Sequence, residues 1–135
     1  MNYWLVKSEP AKWSWDDQVN AGTIHWDGVR NYQATIYLKA MKIGDRAFFY
    51  HSNEGKEIVG VVTIAREFYL DPKDETGKFG MVDVSAAEKL AKPVSLVQIK
   101  ADPALAEMVL VKNSRLSVQP VTPAEWKRVT ALAAA

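Results

Sequence analysis

The stretch AFFYHSNEGKEIVGVVTIAREFY, residues 47–69, predicts two antiparallel strands joined by a tight turn. A β-prone run extends from Ala47 to Ser52, a polar break with Gly55 follows, and a longer β-prone run continues from Glu57 to Tyr69. Parallel neighbours would need a crossover helix between the two runs, and the short break leaves no room for one. The sequence therefore predicts antiparallel pairing at the centre of the fold.

Shorter elements are predicted on both sides of this hairpin. Four further strands are expected at Asn2–Lys7, Thr23–Trp26, Met81–Val84 and Leu116–Val121. Helices are expected from Ser14 to Gly22, from Arg30 to Met41, from Leu96 to Lys100, after Pro103 and from Thr122, with a polar loop at Leu70–Gly80 and a frayed tail at Ala131–Ala135. This order predicts a single α+β domain over residues 1–135, with an antiparallel sheet that curls into a barrel and short helices around it.

Composition excludes several classes of protein. The 135 residues are 48% hydrophobic and 24% charged, as in ordinary globular domains, and they include no cysteine. A thiolate nucleophile and a cysteine–zinc cluster are therefore excluded, and no carboxylate lies at metal-ligand spacing beside His25 or His51. No dinucleotide, P-loop or zincin motif occurs, so we expect neither a metal nor a cofactor.

Hydropathy and charge narrow the expected location and partners. No apolar run approaches the ~18 residues that cross a bilayer, and the first residues do not resemble a signal peptide, so we expect a cytoplasmic monomer without membrane contact. The net charge of +1 rules out a binder that depends on many phosphate contacts. Any nucleic-acid partner must be held by stacking and shape, and four of the five tryptophans precede residue 27.

The segment WDGVRNYQ, residues 26–33, is the richest in chemistry. Trp26 ends a short strand, and its side chain either packs in the core or forms the wall of a pocket. Asp27 and Asn31 carry hydrogen-bonding edges, Arg30 carries charge, and helix-start amides lie close by, which favours a site for a planar heterocycle. The other tryptophans are expected in the core or at its edge: Trp4, Trp13, Trp15 and Trp126.

Three further features leave alternatives open. Ser52, His51 and Glu9 have the residue types of a serine hydrolase, although adjacent strand residues point to opposite faces. The mixed-charge segment 71–75 is expected to be a solvated loop or, alternatively, a lid. Basic residues between 26 and 46 and between 110 and 120 would form a small cationic rim if they share a face.

Several motifs in this order resemble the EVE domain family, including its thymocyte nuclear protein branch. They are KSEP at 7–10, WDGVRNYQA at 26–34, YHS at 50–52, Gly60 in the next strand and RLSVQPV at 115–121. The resemblance implies a PUA-like fold related to YTH domains, and a reader of modified bases, chiefly modified cytosines in DNA.

The resemblance also implies roles for single residues. Trp26 would stack on the base while Asp27 reads its edge, Lys7, Ser8 and Glu9 would line the floor, and Ser52 would line the side. Arg30 and Arg115 would form the mouth. The second aromatic residue of the YTH cage has no motif match in this sequence, so Tyr69 and Phe79 are predicted as a lid on position alone.

The function we expect is a non-enzymatic module that captures one extruded, modified base, such as methylated or hydroxymethylated cytosine, from single-stranded or flipped-base DNA or from RNA. Two other hypotheses stay open: a small serine-dependent hydrolase or base-modifying enzyme, and a scaffold that binds a protein.

Overall fold

Six strands and five helices form in residues 1–134, the part of the chain that the computed structural model describes. The strands are β1 (Tyr3–Ser8), β2 (Thr23–Trp26), β3 (Arg46–His51), β4 (Glu57–Leu70), β5 (Gly80–Ser95) and β6 (Val118–Val121). The helices are α1 (Trp15–Ala21), α2 (Tyr32–Ala40), α3 (Leu96–Ala101), α4 (Val109–Lys112) and α5 (Pro123–Ala134), with one 3-10 turn at Pro103–Leu105. The predicted α+β class is confirmed. No helix in this part of the chain is long and apolar enough to span a membrane.

All six strands belong to one sheet with the order β2-β5-β4-β3-β1-β6. The predicted hairpin is confirmed, because β3 pairs antiparallel with β4, and β4 pairs antiparallel with β5. The expectation of a wholly antiparallel sheet is wrong, since β1 runs parallel to β3, with Leu5 opposite Phe48. The crossover that a parallel pair needs is supplied by α1, β2 and α2.

The predicted closure into a barrel is not found. In residues 1–134, β2 and β6 are the two edges of the sheet, and no strand pairing joins them. Helices and loops instead cover both faces of the sheet, and each face has its own buried core. Because side chains alternate along a strand, Phe48 and Phe49 are both fully buried, one in each core.

Two predicted boundaries are wrong. β5 spans 16 residues rather than the four at Met81–Val84, because its second half pairs with β4 across several register shifts. Those bulges interrupt the alternation by which a strand is recognised. The expected frayed tail is helical as far as Ala134, and Ala133 is buried in the core, whereas Ala135 lies outside the described residues.

Candidate functional site

A cavity of about 440 Å³ opens between the turn after β1 and the segment that runs from β2 into α2. This volume falls within the range of roughly 300–1,000 Å³ that is typical of small-molecule sites. The residues that line it are Lys7, Ser8, Glu9, Lys12, Trp13, Ile24, His25, Trp26, Asp27, Gly28, Val29, Arg30 and Ser117. Six of the predicted site residues meet there: Lys7, Ser8, Glu9, Trp26, Asp27 and Arg30.

One wall is a turn that folds back after β1. The backbone N–H groups of Lys12 and Trp13 both donate to the Glu9 carbonyl at 2.9 Å. The Ser8 hydroxyl donates to the Trp13 carbonyl, which closes the turn. Pro10 within this segment stops β1 from continuing, and the capped start of α1 at Ser14 fixes where the turn ends.

This turn brings Trp13 to the edge of one core, as predicted, and also into the cavity wall, which was not predicted. Its ring is only partly buried, and its indole N–H donates to Gln18 Oε1 at 2.9 Å. Gln18 is itself fully buried and donates to the Gly22 carbonyl at 3.0 Å, so the indole is held in one orientation. The only signal in the sequence was Pro10, which ends the strand. A proline at this position does not show in which direction the chain continues.

Trp26 lies on the opposite wall and also belongs to a core. It is 9% exposed, and the ring of Phe49 meets it edge to face, with centroids 5.6 Å apart at 82°. The indole therefore contributes to core packing and lines the cavity at the same time. Its predicted role as a stacking surface stays a prediction.

Lys7 connects the floor of the cavity to a distant part of the chain. Its ammonium donates to the Ser114 carbonyl and lies 5.8 Å from the centroid of the Tyr50 ring. Its backbone N–H donates to the Ser117 carbonyl at 3.0 Å. Burial lowers the pKa of Lys7 from the ordinary value for a lysine. The segment that precedes β6 is thereby attached to the cavity.

Acidic and basic groups alternate around the cavity. Asp27 Oδ2 lies 3.7 Å from His25 Nε2 and 3.6 Å from Lys73 Nζ. Glu9 pairs with Lys12 at 3.3 Å. These side chains are well exposed, so each pair contributes little to stability, about 0–1 kcal/mol. Their carboxylates and ammonium groups stay available as acceptors and donors toward a ligand.

Arg30 is the most firmly positioned cation at the cavity. Its guanidinium donates to Asp71 Oδ2 at 3.2 Å, and the Asp71 side chain is only 1% exposed. The same carboxylate accepts from the backbone N–H groups of Lys73 at 2.9 Å and Gly28 at 3.5 Å. The pKa of Asp71 is held below its ordinary value despite burial. The hydrogen bond from the Lys73 N–H has the largest effect, and those from Arg30 and Gly28 add to it. The expected solvated loop at 71–75 is therefore anchored at its first residue.

The other predicted site residues do not line the cavity. Asn31 is the N-cap of α2, where its side chain accepts from the Ala34 N–H at 2.9 Å. Ser52 is linked to the site only through its backbone, whose N–H donates to the Ser8 carbonyl at 2.9 Å. Arg115 is exposed on the loop before β6, next to the Ser114 carbonyl that accepts from Lys7.

Neither predicted lid aromatic closes over the cavity. The Tyr69 hydroxyl donates to Asp83, and Arg66 stacks on the Tyr69 ring with its Cζ 3.5 Å from the centroid. Phe79 contacts Tyr32 with ring centroids 5.2 Å apart, and it lies 5.7 Å from the Cζ of Arg30. Phe79 is thus a neighbour of the cavity mouth, while Tyr69 belongs to a separate polar cluster on the sheet.

The hydrolase hypothesis finds no geometric support. His51 Nε2 accepts a hydrogen bond from the Trp15 N–H at 3.0 Å, so it is occupied. In residues 1–134, no serine hydroxyl is hydrogen-bonded to a histidine or a carboxylate. Burial lowers the pKa of His51, an effect that Glu57 and Asp16 partly offset. The same part of the chain holds no group of three metal-ligating side chains.

The expected cationic rim is largely neutralised by acids. Besides the pair of Arg30 with Asp71, three of the basic residues in these stretches lie near a carboxylate: Lys42 at 4.0 Å from Glu67, Arg46 at 3.7 Å from Glu88 and Lys112 at 3.5 Å from Glu107. Four of the six basic residues in these stretches therefore lie within 4.0 Å of a carboxylate.

Comparison with known proteins identifies relatives over almost the whole chain. The pattern of the EVE domain matches residues 2–132. Thymocyte nuclear protein 1 of Rattus norvegicus is 37% identical, and the match covers 97% of this chain and 73% of that protein. A protein of Rhodopseudomonas palustris solved by NMR superposes with a TM-score of 0.95 at 57% identity, covering 99% and 94% of the two chains. The crystal structure of human THYN1 in complex with DNA containing 5-methylcytosine gives a TM-score of 0.89 at 36% identity, covering 98% of each.

Proposed function

The chain belongs to the EVE domain family, and on that premise we propose that it binds DNA by holding one extruded, modified cytosine in the cavity between Trp13 and Trp26. The observation that carries this proposal is the cavity itself, which joins two indole-bearing walls to a few polar groups. A similar fold in the human relative is complexed with DNA that contains 5-methylcytosine, which supports both the polymer and the base.

The polar groups of the cavity match the edge of cytosine. Cytosine presents an amino group as donor, and carboxylates are its usual partners in proteins. Asp27 and Glu9 supply such acceptors, while the ammonium of Lys7 supplies a donor for the carbonyl oxygen or the ring nitrogen of the base. Stacking on an indole contributes about 1–3 kcal/mol and does not distinguish bases, so identity is read by these edge contacts.

Recognition of the modification needs more than room for a methyl group. Burying one methyl-sized group contributes only about 0.8 kcal/mol, which is roughly a fourfold preference. Extruding the base from a duplex costs a few kcal/mol, and this cost falls where the base is already unpaired. We therefore expect tighter binding to single-stranded or bulged DNA than to a perfect duplex.

The decisive experiment is a titration of single-stranded, bulged and duplex oligonucleotides that carry cytosine, 5-methylcytosine or 5-hydroxymethylcytosine, followed by tryptophan fluorescence. RNA of the same sequence is titrated in parallel. We expect saturable quenching that depends on the modification. Identical curves for modified and unmodified DNA would contradict the proposal.

The variant Trp26→Leu tests the stacking wall. Leucine keeps apolar bulk against Phe49, so the fold is expected to persist, whereas the loss of the ring should weaken binding by about 1–3 kcal/mol. Trp26→Phe should lose less. The matched control is Trp126→Leu, because Trp126 is buried in the other core, away from the cavity. Unchanged affinity in a folded Trp26→Leu protein would refute the assigned role.

A further inference from the structure

An aromatic pair lies beside the mouth of the cavity, with Tyr32 exposed and Phe79 half-buried. Tyr32, the first residue of α2, is 64% exposed, and its ring lies 5.2 Å from that of Phe79 at an angle of 41°. We call Tyr32 and Phe79 the aromatic shelf. An exposed tyrosine ring in contact with a half-buried phenylalanine ring indicates a surface for a flat or apolar partner.

The shelf is held firmly on the side of Phe79. The Phe79 N–H donates to Asp74 Oδ2 at 2.7 Å, and its carbonyl accepts from the Asp71 N–H at 3.1 Å. Both backbone hydrogen-bonding groups of Phe79 are therefore used. On the side of Tyr32, the Asn31 cap fixes the start of the helix. Little backbone entropy would therefore be lost when a ligand stacks on this pair.

Arg30 makes the shelf continuous with the cavity. This residue lines the cavity, and its guanidinium carbon lies 5.7 Å from the centroid of the Phe79 ring. Asp71 holds the guanidinium at 3.2 Å, between the cavity and the shelf. A strand that leaves the cavity on the side of Arg30 passes this group. The first surface it meets on that side is the shelf.

We infer that the aromatic shelf of Tyr32 and Phe79 binds the base of the nucleotide next to the extruded one, on one side only, by stacking. The inference rests on the proposed function. A phosphate does not suit the shelf, because the neighbouring loop carries Asp71, Asp74 and Glu75 against Lys73 and Lys78. Stacking needs no net positive charge and tolerates any base.

The test compares five probes: 5-methyl-dCMP, two dinucleotides with a purine on the 5′ or the 3′ side of 5-methylcytosine, and the two corresponding dinucleotides with an abasic flank. We expect one of the two purine flanks to raise affinity about 5- to 100-fold over its abasic counterpart. Tyr32→Ala should abolish this gain while the affinity for 5-methyl-dCMP is retained. Tyr32→Phe should keep the gain.

Ile36→Ala is the matched control, because Ile36 is 63% exposed one turn farther along α2. Its purine gain should equal that of the unmodified protein. A gain that survives in Tyr32→Ala, or no gain on either side although 5-methyl-dCMP binds, would overturn the inference alone. Failure of every probe to bind would instead overturn the proposed function and the shelf with it. Self-association that Tyr32→Ala abolishes, without any purine gain, would identify the shelf as an interface between copies.

Discussion

The surroundings of the His51 imidazole favour its neutral form. Its Nε2 accepts from the Trp15 N–H at 3.0 Å, and burial, the largest influence, lowers its pKa below 6.5. Below pH 6.5, His51 binds a proton in the unfolded chain, whereas in the folded chain its lowered pKa delays protonation to a lower pH. The stability that His51 contributes is therefore present above pH 6.5 and is lost as the pH falls through the lower folded value.

We accordingly predict that the melting temperature falls between pH 7.5 and pH 5.0, and that His51→Gln reduces this fall. Glutamine removes the titration and keeps an acceptor for the Trp15 N–H. The measurement is thermal unfolding at several pH values. His25→Gln serves as control, since the His25 side chain is half exposed, and it should leave the fall in place. An equal fall in His51→Gln would show that other groups cause it.

Two tryptophans show why the role of a buried residue is hard to predict from sequence. Trp126 is stacked between Tyr3 and Phe48, with centroids 4.5 Å and 3.8 Å away, whereas Trp26 meets Phe49 edge to face and lines a cavity. Both are more than nine-tenths buried. The neighbours that distinguish them come from strands far away in the chain, so no local pattern encodes the difference.

Among the elements, α1 packs against β4 through a contact that has no spare room. A methyl group at Gly60 would lie 2.5 Å from the ring of Trp15, which is closer than real atoms approach. The Trp15 ring is itself fixed edge to face against Phe49, with centroids 5.4 Å apart. Gly60 is thus required for close approach rather than for a special backbone angle.

Gly60→Ala is therefore expected to destabilise the fold by about 1–3 kcal/mol through overpacking. Urea unfolding measures the change. Trp15→Leu alone should also destabilise, but the double variant should lose less than the sum of the two, because the clash is gone. If the losses of stability in the two single variants simply added in the double variant, the contact between Gly60 and Trp15 would not be the cause.

Elements were predictable from the sequence to different degrees. The hairpin of β3 and β4 and the capped helices were found because turn and cap residues act over a few positions, as Ser14 does with Asp17. The parallel pairing of β1 with β3 and the second half of β5 were missed. Both depend on partners distant in the chain, and in β5 the bulges remove the alternation that marks a strand.

At the scale of the whole molecule, the sheet separates a core that stabilises the fold from a core that also borders the cavity. One core, which includes Phe48 and Trp126, lies on one face, and the other core, which includes Phe49 and Trp26, borders the cavity. The motif residues at 7–9 and 26–30 were predicted to meet, and they do. Trp13 and Ser117 were not foreseen, since they reach the cavity through a reversed turn and a loop that Lys7 attaches.

The charge balance of the whole molecule leads to a last prediction, on salt. Each phosphate neutralised contributes about −0.9 to the slope of log K against log salt concentration. Of the cations at the cavity, Lys12 and Arg30 are paired with acids, and Lys7 is partly buried. We therefore expect a slope no steeper than about −3 for DNA binding, far from that of a non-specific duplex binder.

Lys12→Gln should flatten this slope by roughly 0.9 while selectivity for the modified base is retained, because a phosphate contact carries no information about the base. Lys92→Gln is the control, since Lys92 is exposed on β5 and does not line the cavity. Titrations at several salt concentrations supply both slopes. A slope near −8, or equal effects of the two variants, would mean that general attraction to phosphates drives binding and that the indole-walled cavity does not.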